Sequence, residues 1–209
     1  MQSALTPTII NFTKQFRIQS FPMAIKIKHT DNFSTYFITF TCINWIPLFE
    51  TVQAYDKVYE WFGILKAKYG SDIIAYVIMP NHLHIIMHFK SDGFNLNKII
   101  ANGKRFMAYE IINRLKNKGN LEMLVKLSSL VTIREKKKGQ LHKVFKDSFD
   151  AKPIITNPFL LQKINYIHNN PVTGKWMLAK DFTEYEHSSA SFYELNKLQH
   201  FLPIHYMEI

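Results

Sequence analysis

Residues 76–89 read YVIMPNHLHIIMHF, and this stretch decides the fold. Two apolar runs meet at Pro80 and Asn81, residue types that favour a tight turn, so the runs predict an antiparallel hairpin. Side chains alternate between the two faces of a strand, and His82 and His84 therefore project from the same face. The apolar residues that alternate with them face the opposite side and can enter a core; they are Leu83, Ile85, Met87 and Phe89.

Two imidazoles on one face of a strand are a pair of potential metal ligands, because histidine is a common ligand of divalent ions. A histidine pair of this spacing also occurs where the side chains only satisfy hydrogen bonds, or where they form one edge of an unrelated zinc site. Taken alone, the pair leaves these interpretations open.

A second informative stretch is residues 157–171, NPFLLQKINYIHNNP, which predicts a short amphipathic helix. We expect Asn157 to cap its N-terminus, Pro158 to take the first helical position and Pro171 to end the helix at about Asn170. An apolar stripe at helical spacing is formed by Leu160, Ile164 and Ile167.

Tyr166 falls on the polar side of this predicted helix, and Asn170 follows one turn later on the same face. One interpretation is that Tyr166 is an ordinary surface or interface tyrosine and that Asn170 caps the helix end. The other is that Tyr166 is a nucleophile and Asn170 a metal ligand.

The two stretches together resemble a known family. HLH after MPN at 79–84 resembles the HUH motif of single-tyrosine, insertion-sequence-200-like transposases, and YIHNNPV at 166–172 resembles the tyrosine element of the REP-associated tyrosine transposases. The resemblance implies that Tyr166 is the catalytic nucleophile. It also implies that His82, His84 and Asn170 hold a divalent metal, Mg²⁺ or Mn²⁺. If Asn170 is only a cap, His88 and His168 are the next candidates for the third ligand.

The tail EYEHSSASFY at 184–193 resembles the family's region after the tyrosine helix. An aromatic residue usually precedes the two serines in that region, and this chain has His187 there. The resemblance covers roughly residues 33–195 and is specific only in its two short blocks.

The order of the predicted elements indicates an α+β fold, an antiparallel sheet with helices packed on one face plus extra helices. The resemblance implies a ferredoxin-like or RRM-like core. We expect an N-terminal extension over 1–30 and a single transposase-like catalytic domain over 31–209, with a basic insertion around 117–143. The pattern predicts strands over 35–42, 72–79 and 82–89, helices over 51–69, 95–116 and 157–170, and a short strand or hairpin within 144–155.

Composition restricts the partners. Of the 209 residues, 47% are hydrophobic, which suffices for a packed core, and the formal net charge of +10 favours a polyanion such as nucleic acid or an acidic membrane surface. Cys42 is the only cysteine, which excludes an internal disulfide and a multi-cysteine zinc site. No run reaches membrane-spanning length, so we expect no membrane partner and a prokaryotic cytoplasmic, nucleoid-associated protein.

The helix predicted over 95–116 has a basic side that we expect to contact DNA phosphates; its residues are Lys98, Lys104, Arg105, Arg114 and Lys116. The resemblance implies an enzyme that cuts and rejoins hairpin-bearing or palindromic single-stranded DNA through a 5′-phosphotyrosine intermediate. Both a homodimer and a monomer remain compatible with the sequence.

Two other classes of function stay open from sequence alone. One is a metal-dependent hydrolase or RNA-processing enzyme in which Tyr166 is structural. The other is a non-catalytic or RNA-directed nucleic-acid-binding protein on an RRM-like sheet, which would bind without needing the histidines or a metal.

Overall fold

A computed structural model of the chain describes residues 34–197 and 200–209. The extension predicted over 1–30 lies outside these residues. A four-stranded antiparallel sheet has the order β2-β3-β1-β4. Its strands are β1 (Thr35–Thr41), β2 (Ser71–Met79), β3 (His82–Phe89) and β4 (Asp150–Pro153).

The α-helices of the described residues are α1 (Leu48–Thr51), α2 (Tyr55–Tyr69), α3 (Leu96–Asn117), α4 (Leu121–Ser129), α5 (Ile133–Lys136), α6 (Asn157–Asn169) and α7 (Ala190–Leu195). This arrangement confirms the predicted α+β class. None of these helices is long and apolar enough to cross a membrane.

One face of the sheet carries the larger core. The apolar set of β3 that alternates with the histidines packs here against α2 and α3, as the period-two pattern predicts. Trp61 of α2 and Gly103 of α3 meet where the two helices cross, and the missing side chain of Gly103 makes room for the Trp61 ring.

The opposite face carries the helix that contains Tyr166. Leu160, Ile164 and Ile167 of α6 are buried against the apolar residues of the sheet that share the histidine face, among them Phe37 and Ile86. Helix α6 thus lies across the sheet from α2 and α3, on the face that carries His82 and His84.

The predicted bounds of the first three strands agree with the structure to within one residue. The helix predicted over 51–69 is divided instead, because Gln53 has a left-handed backbone with φ of 51° between α1 and α2. The N-cap of α6 is Thr156 and not Asn157: the Thr156 hydroxyl accepts a hydrogen bond from the Phe159 amide, which places Asn157 inside the helix. The region 117–143 forms α4 and α5.

Candidate active site

His82 and His84 begin β3, one of the two central strands, as the sequence predicts. In the register with β1, His82 is paired with Thr41 and His84 with Thr39. Each histidine is only 5% exposed, so the pair lies in a recess between the sheet and the end of α6 rather than on an open face.

Hydrogen bonds to Nδ1 fix both imidazole rings. Asn81 Oδ1 lies 2.6 Å from Nδ1 of His82, and Thr39 Oγ1 lies 2.7 Å from Nδ1 of His84. The Asn81 amide is itself oriented, because its Nδ2 donates to the Trp45 carbonyl at 2.8 Å. Because the Asn81 oxygen that faces His82 can only accept a hydrogen bond, Nδ1 of His82 must carry the proton. Nε2 therefore keeps the lone pair that can bind a metal.

Burial keeps both histidines neutral near pH 7. Desolvation lowers the pKa of His82 to about 4, and the nearby Asn170 side chain opposes this shift. Desolvation, reinforced by His82 and Lys163, lowers the pKa of His84 to about 3. A metal ligand must be unprotonated, so these imidazoles need not lose a proton to bind an ion at neutral pH.

Tyr166 is 82 positions away in sequence, yet its hydroxyl lies 3.5 Å from Nε2 of His84. Its ring makes edge-to-face contacts with His84 and Phe37, at centroid distances of 5.1 and 5.9 Å. The side chain is nevertheless 46% exposed, so its hydroxyl can be reached from solvent. These contacts hold the phenol beside the histidine pair and open to a ligand.

Asn170 follows the last residue of α6, and its side chain lines the same cavity as His82 and His84. Because Asn81 occupies Nδ1 of His82, Nε2 is the nitrogen left to face Asn170. Of the two replacement candidates, His168 is buried with its Nε2 2.9 Å from Ser189 Oγ, and His88 has its Nδ1 2.8 Å from Thr35 Oγ1. The structure therefore brings Asn170 to the histidine pair and engages the other two histidines elsewhere.

These side chains surround a cavity of about 220 Å³. It is lined by Thr39, Trp45, His82, His84, Tyr166, Asn170, Thr173, Gly174, Lys175 and Trp176. The lining brings the two imidazoles, the Tyr166 phenol and the Asn170 amide together with Lys175 around one space.

Sequence reasoning missed the two tryptophans of this lining. Trp45 is half exposed, makes an edge contact with His82 and lies beneath Lys146, whose Nζ is 4.5 Å from its ring centroid. Its backbone is left-handed, with φ of 58°, and such strain in a non-glycine residue concentrates at functional sites. No local sequence pattern indicates that Trp45 lines the cavity, because its position depends on the hydrogen bond that its carbonyl accepts from the distant Asn81 amide.

Lys163 was missed as well, although helical spacing places it one turn before Tyr166. Its Nζ lies 5.4 Å from the centre of the Tyr166 ring and 5.0 Å from that of Phe37. It supplies a positive charge next to the phenol.

The basic residues predicted to contact DNA lie on α3, across the sheet from the histidines. Lys104 donates to the carbonyls of Lys146, Asp147 and Ser148, and Arg114 forms a paired contact with Asp56. These two side chains have structural partners. DNA contact by α3, including Lys98, Arg105 and Lys116, stays a prediction.

Comparison with solved structures supports the fold. The chain is similar to a REP-associated tyrosine transposase bound to a REP hairpin, with a TM-score of 0.55 and 16% identity over 82% of this chain and 86% of that chain. A second similar chain, from Deinococcus radiodurans R1 and assigned as a transposase, has 12% identity over 65% of this chain and 88% of that chain. Its TM-score of 0.39 is too low to support an argument. No protein-family model matches the chain, and neither does any curated protein.

Proposed function

We propose that this protein is a transposase-type enzyme that cuts and rejoins single-stranded DNA through a covalent bond to Tyr166. The observation that carries the proposal is the approach of the Tyr166 hydroxyl to within 3.5 Å of His84 Nε2, in the cavity that also holds His82 and Asn170. The fold shared with a tyrosine transposase supports it further.

The donor set fits a divalent cation. Two neutral imidazoles have their Nδ1 atoms held by Asn81 and Thr39, which leaves Nε2 to bind the ion, and the Asn170 amide oxygen in the same cavity lining would be the third donor. Three protein donors would leave coordination positions for a phosphate oxygen and water. Imidazole and amide ligands do not select one metal, and Mg²⁺ or Mn²⁺ is the ion that the family resemblance implies. When bound there, such an ion neutralises charge on the scissile phosphate and orients it.

Tyr166 then acts as the nucleophile. The phenol gives up its proton as its oxygen forms a bond to phosphorus, and the bond from phosphorus to the 3′ oxygen breaks. The leaving 3′ oxygen takes up a proton to become a free 3′-hydroxyl, so no net proton is gained or lost. The ammonium group of Lys163, whose Nζ lies 5.4 Å from the centre of the phenol ring, supplies positive charge beside the position that the negatively charged phosphodiester would take. The 5′-phosphotyrosine bond conserves the phosphodiester, so attack by another 3′-hydroxyl rejoins the strand without an external energy source.

The substrate in this proposal is a DNA hairpin with an unpaired flank. The similar solved structure was bound to a REP hairpin. Trp45 and Trp176 at the cavity provide aromatic surfaces on which unpaired bases can stack, while the net charge of +10 favours the phosphate backbone.

The test uses a pool of hairpin oligonucleotides with randomised single-stranded flanks, labelled at the 3′ end. With Mg²⁺ or Mn²⁺ we expect a labelled protein band that survives denaturing electrophoresis, since the covalent adduct retains the downstream strand. Chelation should abolish the band. Tyr166→Phe should also abolish it while pool binding changes less than about twofold, because only the hydroxyl is removed.

The same experiment separates the alternatives. Cleavage without any adduct would indicate a metal-dependent hydrolase with a structural Tyr166. Binding without cleavage, unaffected by loss of both histidines, would indicate a nucleic-acid-binding protein. Either result would contradict the proposed strand transfer.

A further inference from the structure

A second group of metal-binding side chains lies outside the cavity, at the outer edge of β2. Glu186, His187 and His200 offer ligand atoms that all lie within 4.8 Å of one another, and they are the only such group of three or more His, Cys, Asp or Glu among the described residues. The position is anchored to the sheet, because the His187 carbonyl accepts a hydrogen bond from the Ile78 amide at 2.8 Å.

Aromatic residues of α2 hold the His187 ring. The ring stacks on Tyr55 with centroids 3.7 Å apart, and its Nδ1 lies 3.0 Å from the Tyr59 hydroxyl. With Nδ1 occupied, Nε2 faces Glu186 Oε1 at 3.4 Å. An outer hydrogen bond on one ring nitrogen, with the other nitrogen free to coordinate, is the usual arrangement of a metal-binding histidine.

His200 completes the group from the other side. Its ring stacks on Tyr59 at 5.1 Å, and its Nε2 lies 3.7 Å from Glu186 Oε2. In a tetrahedral zinc site with bonds of about 2.1 Å, neighbouring donor atoms are about 3.4 Å apart. The donors are thus close to coordination spacing, and the more exposed Glu186 and His200 side chains can make the remaining adjustment.

We propose that Glu186, His187 and His200 bind one zinc-type divalent cation, which fastens the C-terminal residues to α2. Two imidazoles and one carboxylate are a donor set that zinc takes in proteins, whereas Mg²⁺ prefers oxygen ligands. The family resemblance implies an aromatic residue at the position where this chain has His187. The site would therefore be restricted to sequences that have a histidine there. It is independent of the proposed strand transfer.

The test is a zinc titration of the full chain carrying His82→Ala and His84→Ala, which removes the histidines of the cavity. We expect one zinc ion per chain by calorimetry, tetrahedral Co²⁺ absorption in the visible range, and a zinc-dependent rise in melting temperature. Excess Mg²⁺ should not displace the zinc. His200→Ala in this background should abolish the thermal shift and weaken binding by more than the roughly 10- to 100-fold that loss of an outer hydrogen-bond partner costs, since it removes one of three direct ligands.

Two further variants complete the design. His142→Ala is the matched control, because it removes a histidine outside the group and should leave zinc affinity unchanged. Tyr59→Phe removes only the hydrogen bond to His187 Nδ1 and should weaken binding about tenfold. Zinc bound equally by the His200→Ala chain, zinc spread over several weak sites, or no zinc bound at all would each overturn the proposal.

Discussion

A hydrogen bond at Nδ1 helps to orient each imidazole, and in His84 the partner is the Thr39 hydroxyl. We expect Thr39→Val, which keeps the side-chain shape and removes the hydroxyl, to raise the metal concentration needed for DNA cleavage roughly 10- to 100-fold. The measurement is a Mn²⁺ titration of cleavage by purified variants.

Strand β1 supplies a matched control for this change. Thr35 makes the same kind of contact, with its Oγ1 2.8 Å from Nδ1 of His88, but His88 does not line the cavity. Thr35→Val should leave the metal requirement unchanged. Equal metal requirements in the Thr35→Val and Thr39→Val proteins would show that the Thr39 contact does not serve metal binding.

Asn170 has two candidate roles, ligand and helix end. We expect Asn170→Ala to raise the Mg²⁺ or Mn²⁺ concentration needed for cleavage, since the side chain that faces His82 is lost. Asn169→Ala is the control, because the Asn169 amide bonds to Asn165 and does not line the cavity. An unchanged metal requirement with a lowered melting temperature would assign Asn170 to the helix end alone.

At the level of elements, the crossing of α2 and α3 stabilises the sheet face opposite the site. A Cβ added at Gly103 would overlap the buried Trp61 ring, so the ring or the helix must shift. We expect Gly103→Ala to lower the free energy of unfolding by about 1–3 kcal/mol, in the range of overpacked cores. Denaturant unfolding measures it.

Gly63 of α2 offers the opposite case within the same pair of helices. It is exposed, and an added Cβ meets nothing within 4 Å. Gly63→Ala should therefore raise the free energy of unfolding by up to about 1 kcal/mol, because alanine is the better helix former. If both substitutions destabilised the protein equally, close packing against Trp61 would not be the cause.

Local sequence patterns predicted the helices and strands better than the residues at which they begin, break or end. Alternation in 82–89 and the helical stripe before Tyr166 each follow from consecutive residues, so strand β3 and helix α6 were predictable with the correct faces. The break between α1 and α2 was not predictable, because glutamine has no intrinsic preference for the left-handed backbone that Gln53 adopts. Thr156 and Asn157 are both good N-cap residues, so the sequence leaves the start of α6 uncertain by one position, and in the structure Thr156 is the cap.

In the protein as a whole, the two faces of the sheet are covered by different helices. One is closed by α2 and α3, and the other holds α6 against the histidine strand. Ser189, in the segment after α6, fixes this arrangement. Its hydroxyl oxygen accepts a hydrogen bond from the Tyr76 amide of the edge strand β2 and lies 2.9 Å from Nε2 of His168 in α6. Two short motifs predicted His82, His84 and Tyr166. The roles of Thr39, Trp45 and Lys163 come from strand register and helix placement, which sequence spacing does not specify.

The proposed function requires that Tyr166 becomes covalently bonded to DNA. The most direct measurement is peptide mass spectrometry of the adduct after nuclease trimming and proteolysis. The account predicts a nucleotide mass on the peptide that contains Tyr166, fragmentation that assigns it to the Tyr166 side chain, and a free 3′-hydroxyl on the released strand. A nucleotide on any other residue, or cleavage that leaves every peptide unmodified, would contradict it.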